Sequence, residues 1–259
     1  MKTIRSLAML LGVVALAGCD KDAVQISSIT APVNGARVKF FNFGINAPQV
    51  NFYAGANKVT AISSTTTVES TTGVAYGAVA AGNSYMVIPP GQTSFSGRIA
   101  AAVDKDLPIS TISRTLENGK AYSVYMSGFY NTTTKQVEGF AVEDQFPDSI
   151  NYSSALIRFV NASPNSQPLQ LSARSSTGTD EVAVGGLVAY AAAGTFVALP
   201  LGSYDLFARA VGTTTPLVTR TLVTLLPGRV YTITVRGDAT LPSTGTAANR
   251  PFLDNSTNR

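Results

Sequence analysis

Ala36-Arg37-Val38-Lys39-Phe40-Phe41-Asn42 returns further along the chain as Ala155-Leu156-Ile157-Arg158-Phe159-Val160-Asn161. Tyr85-Met86-Val87-Ile88-Pro89-Pro90-Gly91 likewise returns as Phe196-Val197-Ala198-Leu199-Pro200-Leu201-Gly202, with Arg98 and Arg209 each seven residues past the glycine. Leu116-Glu117-Asn118-Gly119-Lys120-Ala121-Tyr122 returns as Leu225-Leu226-Pro227-Gly228-Arg229-Val230-Tyr231. Four blocks in one order, at offsets of 109 to 119 residues, mark duplication of a domain-sized unit rather than a short solenoid repeat. The joint falls at Phe146-Pro147-Asp148-Ser149, a polar step containing proline.

Within each copy the pattern is that of strands. Tyr122, Val124 and Met126 share one face, and Ser123, Tyr125 and Ser127 the other. Tyr231, Ile233 and Val235 alternate with Thr232, Thr234 and Arg236 in the same phase, as Val50 and Phe52 do with Asn51 and Tyr53. Alternation of period two predicts antiparallel strands with one face on a core and one in water. Turn signals at Pro90-Gly91, Asn118-Gly119 and Pro227-Gly228 punctuate the runs. The expected fold is all-β: two tandem Ig/fibronectin-III-like antiparallel β-sandwich domains, over 35–147 and 150–259. Leu225-x-Pro227-Gly228-x-x-Tyr231 resembles a tyrosine corner, in which a Tyr hydroxyl bonds backbone a few residues upstream. The first copy keeps Leu116, Gly119 and Tyr122, with Asn118 for the proline. The C-terminal Arg250-Pro251-Phe252-Leu253-Asp254 follows a polar loop, as Gly139-Phe140-Ala141-Val142-Glu143-Asp144 does in the first copy. That analogy predicts a short edge strand, Phe252 matching Phe140 and buried in the second core, Asp254 matching Asp144.

The N-terminus carries Lys2 and Arg5 with no acid, an apolar run over Leu7–Leu16, and then Ala17-Gly18-Cys19. That is a secretory signal over 1–18, too short for a membrane-crossing helix of roughly 20 residues. Leu16-Ala17-Gly18-Cys19 also resembles a bacterial lipobox. On that resemblance the Cys19 thiol takes diacylglycerol, and the amine freed by cleavage takes an acyl chain such as palmitate. Each buried methylene contributes about 0.8 kcal/mol, and two or three chains hold a protein on a membrane stably. Residues 19–34 then form a lipidated tether of at most ~3.5 Å per residue. The implied place is the cell envelope, lipid-anchored on the outer side of the cytoplasmic membrane, with inner or outer membrane left open. Asp20 after the cysteine resembles the inner-membrane retention signal of enteric bacteria.

Once Lys2 and Arg5 leave with the signal, the 19 Lys and Arg fall to 17 against 15 Asp and Glu. No two basic residues adjoin, which argues against nucleic acid as a partner. The chain has no His, no Trp and one Cys. Disulfides, imidazole or thiolate metal sites, and Ser-His-Asp or Cys-His catalysis are thereby excluded, and no cofactor is expected.

Three stretches carry a family resemblance: Ile157-Arg158-Phe159-Val160-Asn161-Ala162-Ser163-Pro164, Leu199-Pro200-Leu201-Gly202-Ser203-Tyr204-Asp205-Leu206, and Pro227-Gly228-x-x-Tyr231. Together they resemble the DUF4397 family, a domain of unknown function found in bacterial secreted and anchored proteins, often in tandem. The first copy departs from it with Asn42-Phe43-Gly44-Ile45 where Asn-Ala-Ser-Pro stands in the second. The resemblance implies a fold unit and no reaction.

The dense acidic spots are Glu143-Asp144 with Asp148, and Asp104 with Asp106. Paired carboxylates can serve glycoside hydrolysis or a Ca²⁺ loop, but exposed turn residues are the commoner reading of both. Lys39/Arg158 and Arg98/Arg209 recur at matched positions. An anion clamp is one reading, and cations packing their stems along a strand's wet face is the favoured one. Tyr53, Tyr125 and Tyr130 are read as facing solvent, where they could stack on sugars, but they are too few and too scattered to distinguish from ordinary surface tyrosines. The expected function is a non-catalytic, membrane-anchored envelope lipoprotein that binds an envelope protein or polysaccharide or serves as a structural module. The alternative is a carboxylate-dependent polysaccharide hydrolase, which a pocket gathering Glu143, Asp144 or Asp148 would favour.

Overall fold

A computed structural model describes residues 34–60, 72–147 and 151–258. The signal segment, Cys19 and Asp148 lie outside the described residues. The described residues from Gly35 onward form one compact unit, all-β and built from two similar halves. The first holds β1 (Ala36–Ile45), β2 (Val50–Ala54), β3 (Asn57–Lys58), β4 (Ala78–Val79), β5 (Met86–Ile88), β6 (Gly91–Ile99), β7 (Pro108–Leu116), β8 (Ala121–Phe129) and β9 (Gly139–Glu143). The second holds β10 (Ser154–Ala162), β11 (Leu169–Ser175), β12 (Glu181–Val188), β13 (Ala192–Ala193), β14 (Val197–Pro200), β15 (Gly202–Ala210), β16 (Val218–Leu225), β17 (Val230–Arg236) and β18 (Phe252–Thr257).

Each half packs a five-stranded sheet on a four-stranded one. The five-stranded sheets run β4-β1-β8-β9 with β5 also on β1, and β13-β10-β17-β18 with β14 also on β10. The four-stranded sheets run β3-β2-β6-β7 and β12-β11-β15-β16. Phe40, Phe52, Phe95, Tyr122, Val124 and Met126 fill the first core. Phe159, Leu171, Leu206, Tyr231, Ile233 and Leu253 fill the second.

The pairing of β1 with β8 is parallel, Val38 opposite Tyr122, and so is that of β10 with β17, Ile157 opposite Tyr231. The wholly antiparallel sheets expected from the alternation are therefore corrected to mixed ones. The expected wet face is also absent along these strands. Lys39, Phe41, Phe43, Ser123, Tyr125, Ser127, Arg158, Val160, Thr232 and Thr234 are all buried, because the two five-stranded sheets cover each other with a third apolar cluster centred on Phe41, Phe43, Tyr125, Val160 and Ala162. Parallel pairs are as a rule buried on both faces. Here the outer face is polar enough to imitate a solvated one.

The tyrosine reading has a geometric counterpart. The Glu117 N–H donates to the Tyr122 hydroxyl and the Leu226 N–H to the Tyr231 hydroxyl, both at 3.1 Å. Between each pair a glycine, Gly119 or Gly228, takes a positive φ of 78° or 66°, where a β-carbon is strained.

The chain's end is a strand, as expected, but in a shifted register. Tyr122 opposes Glu143 and Tyr231 opposes Thr257. The Asp144 N–H bonds Ala121 O and the Asn258 N–H bonds Val230 O, both at 2.7 Å. Asp144 is therefore matched by Asn258, not by Asp254. Leu253 enters the second core, while Phe252 stays half-buried under the guanidinium groups of Arg220 and Arg236.

Candidate functional site

The junction between the halves gathers Lys39, Arg158, Glu143 and Asp144 of the charged residues singled out above, and it is reciprocal. Arg158 of β10 sends Nη1 to Glu143 O at the end of β9 (3.0 Å). Its counterpart Lys39 of β1 sends Nζ to Thr257 O at the end of β18 (2.9 Å). Arg158 lies 4.9 Å from the Phe196 ring centroid, and Lys39 lies 4.4 Å from that of the matching Tyr85. Each half thus reaches across with one cation laid on one aromatic face.

The asymmetry lies in the carboxylate. Asp144 pairs with Arg158, accepts from Ser123 Oγ at 2.9 and 3.1 Å, and accepts from the Tyr85 hydroxyl at 2.6 Å. Lys39 meets instead the Asn83 amide oxygen at 3.1 Å. Burial, partly offset by the negative charge of Asp144, pulls the Lys39 pKa down to about 8. Burial first, and then the neighbouring carboxylate, push the Tyr85 hydroxyl well up. Arg158, Asp144 and Lys39 are only 2%, 3% and 0% exposed. Reading Asp144 as a solvated turn residue, and Lys39 and Arg158 as cations on a wet face, is corrected: the second half covers the face that a single copy would leave in water.

The apolar centre of the junction explains the tyrosines. Tyr125 is buried, stacked between Phe41 and Phe140 with ring centroids 4.4 and 4.9 Å away. Tyr53 is also buried, and Tyr130 half-buried, so neither Tyr53 nor Tyr125 offers a free face to a sugar. Arg98 lies 4.1 Å over the Tyr53 ring, and Arg209 lies 4.7 Å over Phe207 while pairing with Glu181 at 2.6 Å. The aromatic partner has changed strand between halves: Tyr53 opposes Ser96 in one, Phe207 opposes Ser172 in the other. These recurring arginines pack along their sheets, as expected of outer-face cations. Asp104 pairs with Lys135 at 2.6 Å. Asp106 accepts from the Tyr53 hydroxyl at 2.7 Å, and that bond holds its carboxyl below the usual range.

Two clefts flank the strand end at Glu143. One, of about 610 Å³, is walled by Arg114, Val142, Glu143 and Phe146 on one side and by Arg158, Thr195 and Phe196 on the other. The second, of about 590 Å³, lies between Arg37, Lys120 and the run Glu143–Pro147. Glu143 borders both and Asp144 borders the second, the arrangement that would favour hydrolysis. The Glu143 carboxylate pairs with Lys120 at 3.4 Å, however, and the Asp144 side chain has no exposed surface. Phe146, Phe196 and Arg114 were not legible as wall residues, because no pattern of residue types marks a wall formed only when two halves meet.

A scan against family models matches residues 36–172 to "Domain of unknown function (DUF4397)". The chain belongs to the DUF4397 family. The match covers the first half and runs on through β10 into β11. Of the three stretches that resemble DUF4397, only the one at 157–164 lies within it. No curated protein matches this DUF4397 chain. Among solved structures it is similar to a leucine-rich repeat protein from Bacteroides thetaiotaomicron, at 12% identity and a TM-score of 0.21. That likeness covers 80% of this chain but only 26% of the other, and a TM-score so low carries no argument about fold or function.

Proposed function

We propose that this DUF4397 chain is a non-catalytic envelope lipoprotein, anchored through diacylated Cys19, whose two Ig/fibronectin-III-like halves form one rigid binding module. The observation that carries the reading is the fate of Asp144. The central acid of the one dense acidic spot at the junction is enclosed, and its two oxygens are taken by Arg158, Ser123 and Tyr85. A general acid or nucleophile has to touch substrate. A fully enclosed carboxylate of this kind holds two halves together instead. The sandwich assignment is supported by the facing sheets of each half and by the hydroxyl bonds of Tyr122 and Tyr231. The anchor is supported by the lipobox-like Leu16-Ala17-Gly18-Cys19 after a basic, apolar leader.

The test is metabolic labelling with an alkyne fatty acid in a bacterial host, followed by membrane fractionation. The intact chain takes up label and sediments with membranes, while Cys19→Ala remains unlabelled. A mature N-terminus away from Cys19 with no acyl mass overturns the anchor. A reproducible glycoside hydrolase activity lost in Glu143→Gln overturns the non-catalytic reading.

A further inference from the structure

The two halves differ where their matching edges flank the junction. β4 and β13 occupy equivalent places, Val79 opposite Phe41 and Ala193 opposite Val160. From Val79 the first half takes six residues to reach Tyr85, whereas the second takes three from Ala193 to Phe196. The difference is accommodated by a tight turn at Ala80–Asn83, with positive φ at Ala81, Gly82 and Asn83. Its Asn83 bridges the junction, accepting from Lys39 Nζ at 3.1 Å and donating to Thr257 O at 3.3 Å. The equivalents of Lys39 and Thr257 are Arg158 and Glu143. There the chain passes directly through Gly194 and Thr195, and both equivalents line the 610 Å³ cleft. One of two related sites is plugged by the protein's own carboxamide, and among the described residues nothing fills the other.

We propose that the open site binds a saccharide carrying an acetamido group, a reading that rests on the mature chain being a binding module. Its volume lies within the few hundred to about 1,000 Å³ of small-ligand sites, which favour junctions between domains. Phe146 and Phe196 line it, both half-exposed, with ring centroids 5.8 Å apart and planes at 43°. Arg158 lies over one face of Phe196 and Arg37 over one face of Phe146, and the apolar surface left to the two rings meets the C–H face of a pyranose. Arg114, Glu143 and Thr195 supply donors and acceptors for ring hydroxyls. The acetamido group follows from the plugged site, where an amide oxygen meets the cation and an amide nitrogen meets the strand-end carbonyl. Arg158 spends three of its five N–H donors on Thr232, Glu143 and Asp144, and its charge is already balanced by Asp144. The complement to its remaining donors is therefore a neutral carbonyl oxygen rather than a second carboxylate.

The experiment is titration calorimetry of the full chain with the trimer of N-acetylglucosamine, its deacetylated form and cellotriose. The acetylated trimer binds, and the other two bind at least about tenfold more weakly. Thr195→Arg, an exposed position on the cleft wall, loses binding by a similar factor with an unchanged melting curve. Phe196→Ala also loses it, with melting followed in parallel. No heat with the acetylated trimer, equal binding of cellotriose, undiminished binding by Thr195→Arg, or selection of a peptide over all three sugars overturns the proposal. Mass spectrometry of the trimer after incubation separates the two readings. An intact bound sugar upholds both, a cleaved one leaves the site and removes the non-catalytic reading, and absence of binding removes the site alone.

Discussion

Asp144→Asn removes one charge and changes almost no volume. Its side chain has no exposed surface, so water cannot reach the lost carboxylate contact, and only a sliver of its Arg158 partner, 2% exposed, borders the cleft. Breaking a buried pair from one side leaves an uncompensated charge and costs about 3–5 kcal/mol, against about 0–1 kcal/mol for a surface pair. In a unit of this size each kcal/mol lowers Tm by roughly 2–4 °C, so the expected fall is roughly 6–20 °C. The charge, not the shape, is the cause, which a second variant isolates. Asp144→Asn combined with Arg158→Met removes both charges and recovers a large part of the loss. Urea unfolding followed by far-UV circular dichroism, in a Cys19→Ala background, reads all three chains. A loss below about 1 kcal/mol for the single variant, the value of a solvated carboxylate, would refute the buried network and restore the sequence-based reading of Asp144.

Lys39 has a pKa of about 8 in the folded chain against 10.5 unfolded. The unfolded state thus binds more protons between those values, and stability rises with pH across that window. Lys39→Met removes that rise, so the parent gains stability relative to the variant between pH 7 and 10, read from urea midpoints at the two values. Tyr231→Phe strips the acceptor from the Leu226 N–H and costs about 1–3 kcal/mol. Tyr122→Phe costs a similar amount, so a neutral result in both would remove the corner as a stabilising element. Leu253→Ala costs roughly 2–5 kcal/mol by opening a cavity in the second core. Phe252→Ala, which loses contacts with Arg220 and Arg236, costs about 1–2 kcal/mol, and a reversed order of the two would contradict the register of β18.

Which side of each strand faces its own core was legible in the sequence, because Tyr122, Val124 and Met126 are apolar while Ser123 and Ser127 between and beside them are not. What lies on the other side was not. Ser123, Thr232 and Thr234 satisfy a junction between sheets as readily as they satisfy water, and Lys39 and Arg158 have the composition of surface cations. Burial of such residues depends on a second sheet whose approach no local pattern encodes. The end of the chain failed for a different reason. Phe140 and Phe252 are alike as residues, but strand register is set by pairing, and a slip exchanges which side chains face the core. Hence Leu253 takes the place expected of Phe252. The open cleft did leave a trace in the sequence. The offset between copies is 119 at Asn42/Asn161 but 111 at Tyr85/Phe196, so residues are missing from the second copy between the two blocks. Three of them are those the plugging turn accommodates in the first half.

A junction of this kind between two separate copies would be bound by symmetry, since any change on one side appears on the other. Here ten residues, 144–153, join β9 to β10. A connection that short makes docking intramolecular, at an effective concentration in the millimolar range, so the interface need not be strong enough to assemble separate chains. The two sides are then free to diverge. One retains Arg158 with its carboxylate and an open cleft; the other has Lys39, Asn258 in place of the acid, and Asn83 in the space between. Lys39 costs stability, because it is buried without a carboxylate of its own, and the Arg158–Asp144 pair restrains the same sheets from the opposite side. The half-filled symmetry of the junction thus follows from fusion. Fusion also explains why the side that keeps the complete ion pair is the one that can leave a cavity beside it: its guanidinium is already neutralised and needs no turn of the chain to cover it.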